Sequence, residues 1–376
     1  MLLDDITQAV LAHEDVARYL RGADGEPDEK IRERVEAYLE ELHTTQRYSF
    51  YRALKHPLYP ILRKIERLHE NVQAAQTAAA AGRVIYVSNH KSHTDYLVEP
   101  LVLDDNDIRP PIIAAGINLF GGPLGLLHKH VTGAIPIRRN TKDPAYLVTL
   151  KAYVAEVLRR HDLLFYIEGG RSYSGELKPP KTGLLHAAMQ APVDSIVIVP
   201  MAIAYDLVLE DHILAHQGLK RRARPFTREL AEMVRYAVGY ESRAFVTFGP
   251  PIDFSTYDAH SRRDVLDLGH HVREVIGRIY KVLPTAIAAA AMRPSITRRQ
   301  LDDRAAALID TLRASGANLL VTNPARAVTE GTALLAARNV IVIERGSRFR
   351  VRERTVLRYY ARTIQHLIAP RKSATH

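Results

Sequence analysis

Cysteine is absent from the 376 residues, and so is tryptophan. Without thiols the chain holds no disulfide, no thiolate metal site and no cysteine nucleophile, which fits a reducing compartment. Also missing is an uninterrupted apolar run long enough to cross a bilayer as a helix. The nearest approach, Pro111 to Leu127, is broken by prolines and glycines and reads as a buried or membrane-dipping loop. Asp4 and Asp5 follow Met1 where a secretory leader would place basic and then apolar residues, so no leader is expected. Aromatic residues are scarce, at 7%, and only Phe226 falls inside the densest basic cluster. That argues against a base-stacking surface, and no nucleic-acid partner is expected.

What is present is an ordinary globular composition, 47% apolar and 25% charged, in a chain long enough for more than one domain. The net charge of +10 favours anionic partners: nucleic acid, a membrane surface or phosphorylated small molecules. The charge is uneven. Residues 1 to 42 are rich in Asp and Glu, Lys220, Arg221, Arg222, Arg224 and Arg228 cluster tightly, and the last hundred residues are rich in Arg.

The pattern of apolar residues divides the chain into residues 1–80, 81–285 and 286–376. The first part reads as helices, over Asp28–Leu42 and from about Leu58 to Ala81, where Ile61, Ile65 and Leu68 recur at helical spacing. In the second, short apolar runs alternate with amphipathic helices. The expected strands are Val84–Val87, Ile112–Ala115, Ala134–Ile137, Leu163–Ile167, Ile196–Ala204 and Ala244–Phe248. Leu147, Leu150, Val154, Val157 and Leu158 mark one helix face, and Val265, Leu268, Val272, Val275, Ile276 and Ile279 another. This alternation predicts an α/β fold with a mixed, mostly parallel sheet flanked by helices. The third part is a smaller helical and mixed extension. It opens on Thr297 and Gln300, a capping-box pair, continues to a strand at Val340–Ile343 and closes on a helix at Val356–Ile368.

The segment richest in chemistry is Val87-Ser88-Asn89-His90-Lys91-Ser92-His93-Thr94-Asp95-Tyr96, which leaves a strand end. His90 and Asp95 are five apart and would diverge on one helix. With His90 in the loop and Asp95 in the first helical turn they can meet. Asp95 then fixes the imidazole tautomer, and His90 can take a proton from an alcohol. On residues alone, two other readings stand. His90 caps the helix beside a solvated Asp95, or His90, His93 and Asp95 serve as metal ligands.

The next segment, Phe165-Tyr166-Ile167-Glu168-Gly169-Gly170-Arg171-Ser172-Tyr173-Ser174-Gly175, also follows a strand. Gly169 and Gly170 allow close backbone approach. Arg171, with Lys178 and Lys181 downstream, suits an oxyanion or phosphate, unless Glu168 and Arg171 merely pair across a turn. Ile135-Pro136-Ile137-Arg138-Arg139 ends a strand on two arginines suited to phosphate. Ile196 to Ile203 reads as a core strand, with Pro200 near a sheet end or bulge.

In this order the four segments resemble the glycerolipid acyltransferase family. SNHKSHTD looks like its His-x4-Asp motif, GINLFGGPLG with GAIPIRR its second, FYIEGGRSYSG with KPPKTG its third and IVIVPMAIAYD its fourth. His93, EGGRS, SITRRQL and VLRYYARTIQHLI are similar to the bacterial glycerol-3-phosphate acyltransferase branch. Members of that branch are typically much longer, so the chain reads as a shortened form. Tyr173 stands where they typically carry a basic residue.

The resemblance implies transfer of a fatty acyl group from a thioester of coenzyme A or acyl carrier protein to glycerol 3-phosphate, in phospholipid biosynthesis. It implies His90 as general base and Asp95 as its partner. Arg139, Glu168 and Arg171 would bind the phosphorylated alcohol, Gly169 and Gly170 would shape the pocket, and Pro200 would lie on the substrate side. No cofactor and no metal enter this chemistry. Lysophosphatidic acid and dihydroxyacetone phosphate are the rival acceptors. A non-enzymatic basic protein that binds membranes or nucleic acid is the rival of another class. No Gly-x-Ser-x-Gly elbow is present to favour a hydrolase. An amphiphilic product implies a peripheral position on the cytoplasmic face of the membrane. The loop around Leu119, Phe120 and Leu124 would touch lipid there, helped by the Lys220–Arg228 cluster.

Overall fold

The computed structural model describes residues 2–21, 29–47, 65–120, 129, 133–220 and 242–368. Helices α1 (Leu2–Ala12), α2 (Glu14–Leu20) and α3 (Glu29–Leu42) come first. A seven-stranded sheet follows, built from β1 (Ile65–Glu70), β2 (Arg83–Ser88), β3 (Ile112–Gly116), β4 (Ala134–Ile137), β5 (Leu163–Tyr166), β6 (Ile196–Tyr205) and β7 (Ser242–Phe248). Its order is β1-β7-β6-β2-β5-β3-β4, and every neighbouring pair is parallel except β6 with β7. The mixed, mostly parallel sheet is thus as expected.

Central strands in such a sheet are covered on both faces and so read as unbroken apolar runs. In β2 the run Val84–Val87 is fully buried, and β6 is buried from Ile198 to Tyr205. The covering helices include α4 (Val72–Ala81), α5 (Asp95–Asp105), α6 (Pro144–Arg160), α7 (Gly183–Met189), α8 (Asp211–Lys220) and α9 (Arg262–Ile279). Helix α6 starts where Asp143 accepts a hydrogen bond from the Ala145 N–H, with Pro144 at the first helical position. Of its expected apolar face, Leu150, Val154, Val157 and Leu158 are buried, whereas Leu147 is 47% exposed. In α9, Val265, Leu268, Val272, Val275 and Ile276 are buried, each worth roughly 1.5–3 kcal/mol of apolar transfer.

One expectation fails within the described residues. Ile65 and Leu68, assigned to a helix by their spacing, lie in β1, which pairs with β7 from Ile65↔Ser242 to Glu70↔Thr247. A three-residue interval suits either element when only a few apolar positions are available. The open edge of β7 offered backbone partners that local periodicity cannot register. The helix that was expected to include these residues begins only at Val72.

Pro200 sits in β6 between the Ile198↔Ile252 bridge and the Met201↔Phe248 pair, an interruption of the pairing on the β7 side. After the sheet come α10 (Pro284–Ala291), α11 (Arg298–Ala314), α12 (Pro324–Ala337), α13 (Arg354–Arg362) and α14 (Gln365–Ile368). With them is a small sheet of β9 (Ser295–Thr297), β11 (Ile341–Glu344) and β12 (Arg348–Val351), and the two-stranded pair β8 (Lys281–Val282) and β10 (Asn318–Leu319). The Thr297–Gln300 capping box forms as expected. The closing helix is divided: α13 stops at Arg362 and α14 resumes at Gln365.

Candidate active site

Strand β2 ends at Ser88 and α5 begins at Asp95, and the six residues between them form a tight turn held from several sides. Asn89 imitates a strand residue with its side chain. Its Nδ2 donates to the Ile203 carbonyl at 2.9 Å, and its Oδ1 accepts the Ile203 N–H at 2.8 Å. The turn is thereby pinned to β6. His90 Nδ1 and Asp95 Oδ2 are 2.8 Å apart, both buried. The same carboxylate accepts the N–H groups of Lys91 at 2.6 Å and Ser92 at 2.9 Å, and the Tyr205 hydroxyl at 2.8 Å. A carboxylate that already takes three donors is ionised and can only accept from the imidazole, so Nδ1 carries the proton and Nε2 is the basic nitrogen.

Burial lowers the imidazole well below its ordinary value, and Arg171, Arg139, Lys178 and Lys91 lower it further. Burial works the other way on Asp95, whose carboxyl is pushed up to about 6 despite its donors. At neutral pH both groups therefore stand in the form a base needs: neutral imidazole, charged partner. The Tyr166 ring stacks on the imidazole at 4.1 Å and fixes its plane.

His90 lines a cavity of about 570 Å³ at the carboxyl ends of β3, β4 and β5. Nε2 has no partner among the described residues and is the nitrogen left to it. Arg138, Arg139, Arg171, Lys178 and Lys181 also line this space, against Glu168 as its one acid among the described residues. An apolar wall of Ala114, Ala115, Ile137, Leu147, Leu150 and Leu184 completes it. The cavity can therefore take a small, strongly anionic group and an aliphatic chain together.

The glycine loop holds the basic groups. Gly169 has φ of +65°, in the left-handed region that glycine enters without strain. A Cβ on Gly170 would lie 3.1 Å from Arg139 Nη1, and one on Gly116 would lie 2.6 Å from Nη2. Gly170 and Gly116 thus leave room for the Arg139 guanidinium, and Gly169 leaves room for the Lys181 side chain. Arg171 is buried, with its Nη1 3.6 Å from Glu210 Oε1. Lys178 Nζ donates to the carbonyls of Gly170 at 2.6 Å and Arg171 at 3.0 Å.

Glu168 does not pair with Arg171 across a turn. One oxygen accepts the His90 N–H at 2.9 Å and the other accepts the Lys178 N–H at 3.0 Å. This places Glu168 as a brace between the His90 turn and the glycine loop. Pro200 is buried in β6 and does not line the cavity. Arg138, though it lines the cavity, is held from outside by Glu41 of α3. Among the described residues no three of His, Asp and Glu come together to hold a metal ion.

Tyr205, Tyr166 and Glu210 escaped the sequence reading. Tyr205 was within reach, because it closes an apolar strand and is followed by Asp206. Glu210 accepts from Ser92 Oγ at 2.9 Å and the His93 N–H at 2.6 Å across 118 and 117 residues of sequence, and nothing local announces it. Leu124 and residues 221–228 of the basic cluster lie outside the described residues, and Phe120 packs against the core.

Comparison with known proteins bears on residues 67–204, which match the family model described as Acyltransferase. The chain is similar to a glycerol-3-phosphate acyltransferase of Aeromonas hydrophila subsp. hydrophila, 32% identical over 240 residues that cover 61% of this chain and 29% of that one. It is also similar to a glycerol-3-phosphate acyltransferase of Actinobacillus succinogenes, 34% identical over 239 residues with 61% and 29% covered. The chain thus spans 29% of the length of these curated relatives.

Proposed function

We propose that the protein is an O-acyltransferase that carries a fatty acyl group from a thioester to the hydroxyl of a phosphorylated alcohol, with glycerol 3-phosphate as the first acceptor. One observation carries the reading. A neutral imidazole, held at Nδ1 by a buried carboxylate, turns its other nitrogen to a cavity lined by five basic side chains and an apolar wall. The names of the two relatives support the choice of acceptor.

In this reaction the phosphate binds Arg139, Arg171, Lys178 and Lys181, which sets the acceptor hydroxyl against His90 Nε2. Nε2 takes the hydroxyl proton as the oxygen attacks the thioester carbonyl, and the new C–O bond pushes an electron pair onto the carbonyl oxygen. Asp95 stabilises the imidazolium. When the tetrahedral intermediate collapses, the C–S bond breaks and the imidazolium returns its proton to the departing thiolate. No acyl-enzyme forms and no cofactor takes part, because coenzyme A or acyl carrier protein arrives as co-substrate. Glu168, Gly169 and Gly170 shape the loop, and Pro200 acts only through β6, which carries Tyr205.

Among the described residues no helix is long and apolar enough to cross a membrane. An amphiphilic product and a net charge of +10 support a peripheral position on an anionic membrane at its cytoplasmic face. The test is an acyl-transfer assay with labelled palmitoyl thioester against glycerol 3-phosphate, dihydroxyacetone phosphate, lysophosphatidic acid and plain glycerol, over anionic or neutral vesicles. Ester is expected with the phosphorylated alcohols, most with glycerol 3-phosphate, and the protein should float with the anionic vesicles only. Equal transfer to plain glycerol would remove the phosphate site, and no flotation would remove the membrane.

A further inference from the structure

Lys91 follows the base in sequence, yet it does not line the substrate cavity. It is 2% exposed, and its ammonium donates to the Gly175 carbonyl at 2.7 Å and lies 5.5 Å from the centre of the Tyr280 ring. A buried ammonium is costly unless its donors are satisfied. Beside it is a gap of about 10 Å³, room for a single water, lined also by Tyr205, Tyr280, Tyr359, Tyr360 and Thr363. Such a group is kept at a cost in stability, and the proposed reaction gives it no chemical step.

Its partners show what it joins. Gly175 closes the loop that carries Arg171. Its φ is +85°, and a Cβ there would lie 2.0 Å from the Tyr359 carbonyl oxygen, so the loop backbone rests directly on α13. Tyr360, also on α13, donates to Asp211 at 2.6 Å and accepts the Val208 N–H at 3.1 Å, which fastens that helix just beyond the end of β6. Tyr205, which lines the same gap, is the residue whose hydroxyl holds Asp95. The turn with the base, the loop with Arg171 and the C-terminal helix α13 therefore meet around one side chain.

We propose that Lys91 is a positioning residue: its ammonium, backed by α13, ties the turn that carries His90 to the loop that carries Arg171, and so sets the distance from the base to the bound phosphate. The proposal rests on the acyl-transfer reading. It makes α13 part of the catalytic framework, although residues 354–362 follow the segment matched to the family model by 150 positions or more.

The charged and titratable groups that face His90 are Asp95 and Lys91 from its own turn, Tyr166 and Glu168 from β5 and the loop after it, Arg171 and Lys178 from the glycine loop, and Arg139 from beyond β4. Glu168, Asp95 and Glu176 face Lys91. Removing the Lys91 charge thus removes one of four positive neighbours of the imidazole and leaves its burial in place.

The test compares full-length Lys91→Met and Lys91→Arg with the native protein in two measurements. One is kcat and the acceptor KM. The other is the titration of the His90 imidazole by carbon-13 NMR of labelled histidine, assigned with His90→Gln. Lys91→Met is expected to raise the acceptor KM and lower kcat, with kcat/KM down by about 100-fold, the thioester KM unchanged and the His90 midpoint higher. Lys91→Arg should restore most of the activity and the midpoint. Native kinetics in Lys91→Met would overturn the proposal. So would equal losses in both variants with an unmoved midpoint, the mark of simple packing. If the native protein transfers no acyl group, the functional reading fails, and the backbone amide shifts of Ser172 to Gly175 in Lys91→Met still decide whether the tie exists: unmoved shifts would remove it.

Discussion

His90→Ala is expected to lower kcat by about a thousandfold and to leave the melting temperature within about 3 °C. The imidazole contributes its Nε2 to the cavity, stacks on Tyr166 and bonds Asp95, which keeps its Lys91, Ser92 and Tyr205 donors without it. Asn89, Glu168 and Glu210 hold the turn through other groups, so alanine costs chemistry rather than fold. His93 lines the same cavity and is the obvious substitute base. It takes no part in the His90–Asp95 pair, however, and His93→Ala should cost far less. Asp95→Asn should reduce kcat as well, but it also faces the Lys91 and Ser92 N–H groups with an amide. Its loss is therefore part chemical and part structural. The pH profile follows from the same geometry. Because burial and four cationic neighbours lower the imidazole, the base stays unprotonated below its ordinary value. The acid limb of kcat/KM, which reports the free protein, should then fall below pH 6.5. With Asp95 at about 6 and 2.8 Å away, that limb belongs to the pair.

Arg139→Met is expected to raise the acceptor KM between about 10- and 100-fold, the loss of one charged hydrogen-bonding partner. The thioester KM and the stability should hardly change. Arg139 has no hydrogen-bond or ion-pair partner among the described residues. Its guanidinium lies against Gly116 and Gly170, and methionine keeps most of its length without the charge. Arg171 and Lys178 are less clean targets, since one neighbours Glu210 and the other bonds two carbonyls of the glycine loop. Plain glycerol, if transferred at all, should be indifferent to Arg139→Met. High salt should narrow the difference between the native protein and the variant for the phosphorylated acceptor.

The chemistry-bearing turn was legible because it is local. His90 and Asp95 are five residues apart, and the strand before them and the helix after them each announce themselves through apolar pattern. The six expected strands from Val84 to Phe248 likewise reappear as β2 to β7, since unbroken buried runs leave a strong trace. Ile65–Glu70 was not legible, because an edge strand with charge on both sides carries little pattern and its assignment depends on β7, about 177 residues later. Glu168 was named as a partner of Arg171 and, through the family resemblance, as a binder of the phosphorylated alcohol, whereas its oxygens go to two backbone N–H groups. Sequence names the donor-seeking group and leaves its partners open. Tyr205, Glu210 and the meeting of Lys91 with α13 are products of long-range packing, invisible to any window short enough to read periodicity.

The central claim is direct transfer: the acceptor hydroxyl, deprotonated by His90, attacks the thioester with no stop on the protein. A quenched single turnover with labelled palmitoyl thioester, following both intact protein mass and ester product, tests it most closely. The label should leave the thioester and reach the phosphorylated alcohol at one rate, the protein should stay unlabelled at every time, and without acceptor the thioester should persist. A palmitoylated protein that forms and decays into product, or thioester consumed equally fast without acceptor, would contradict the account.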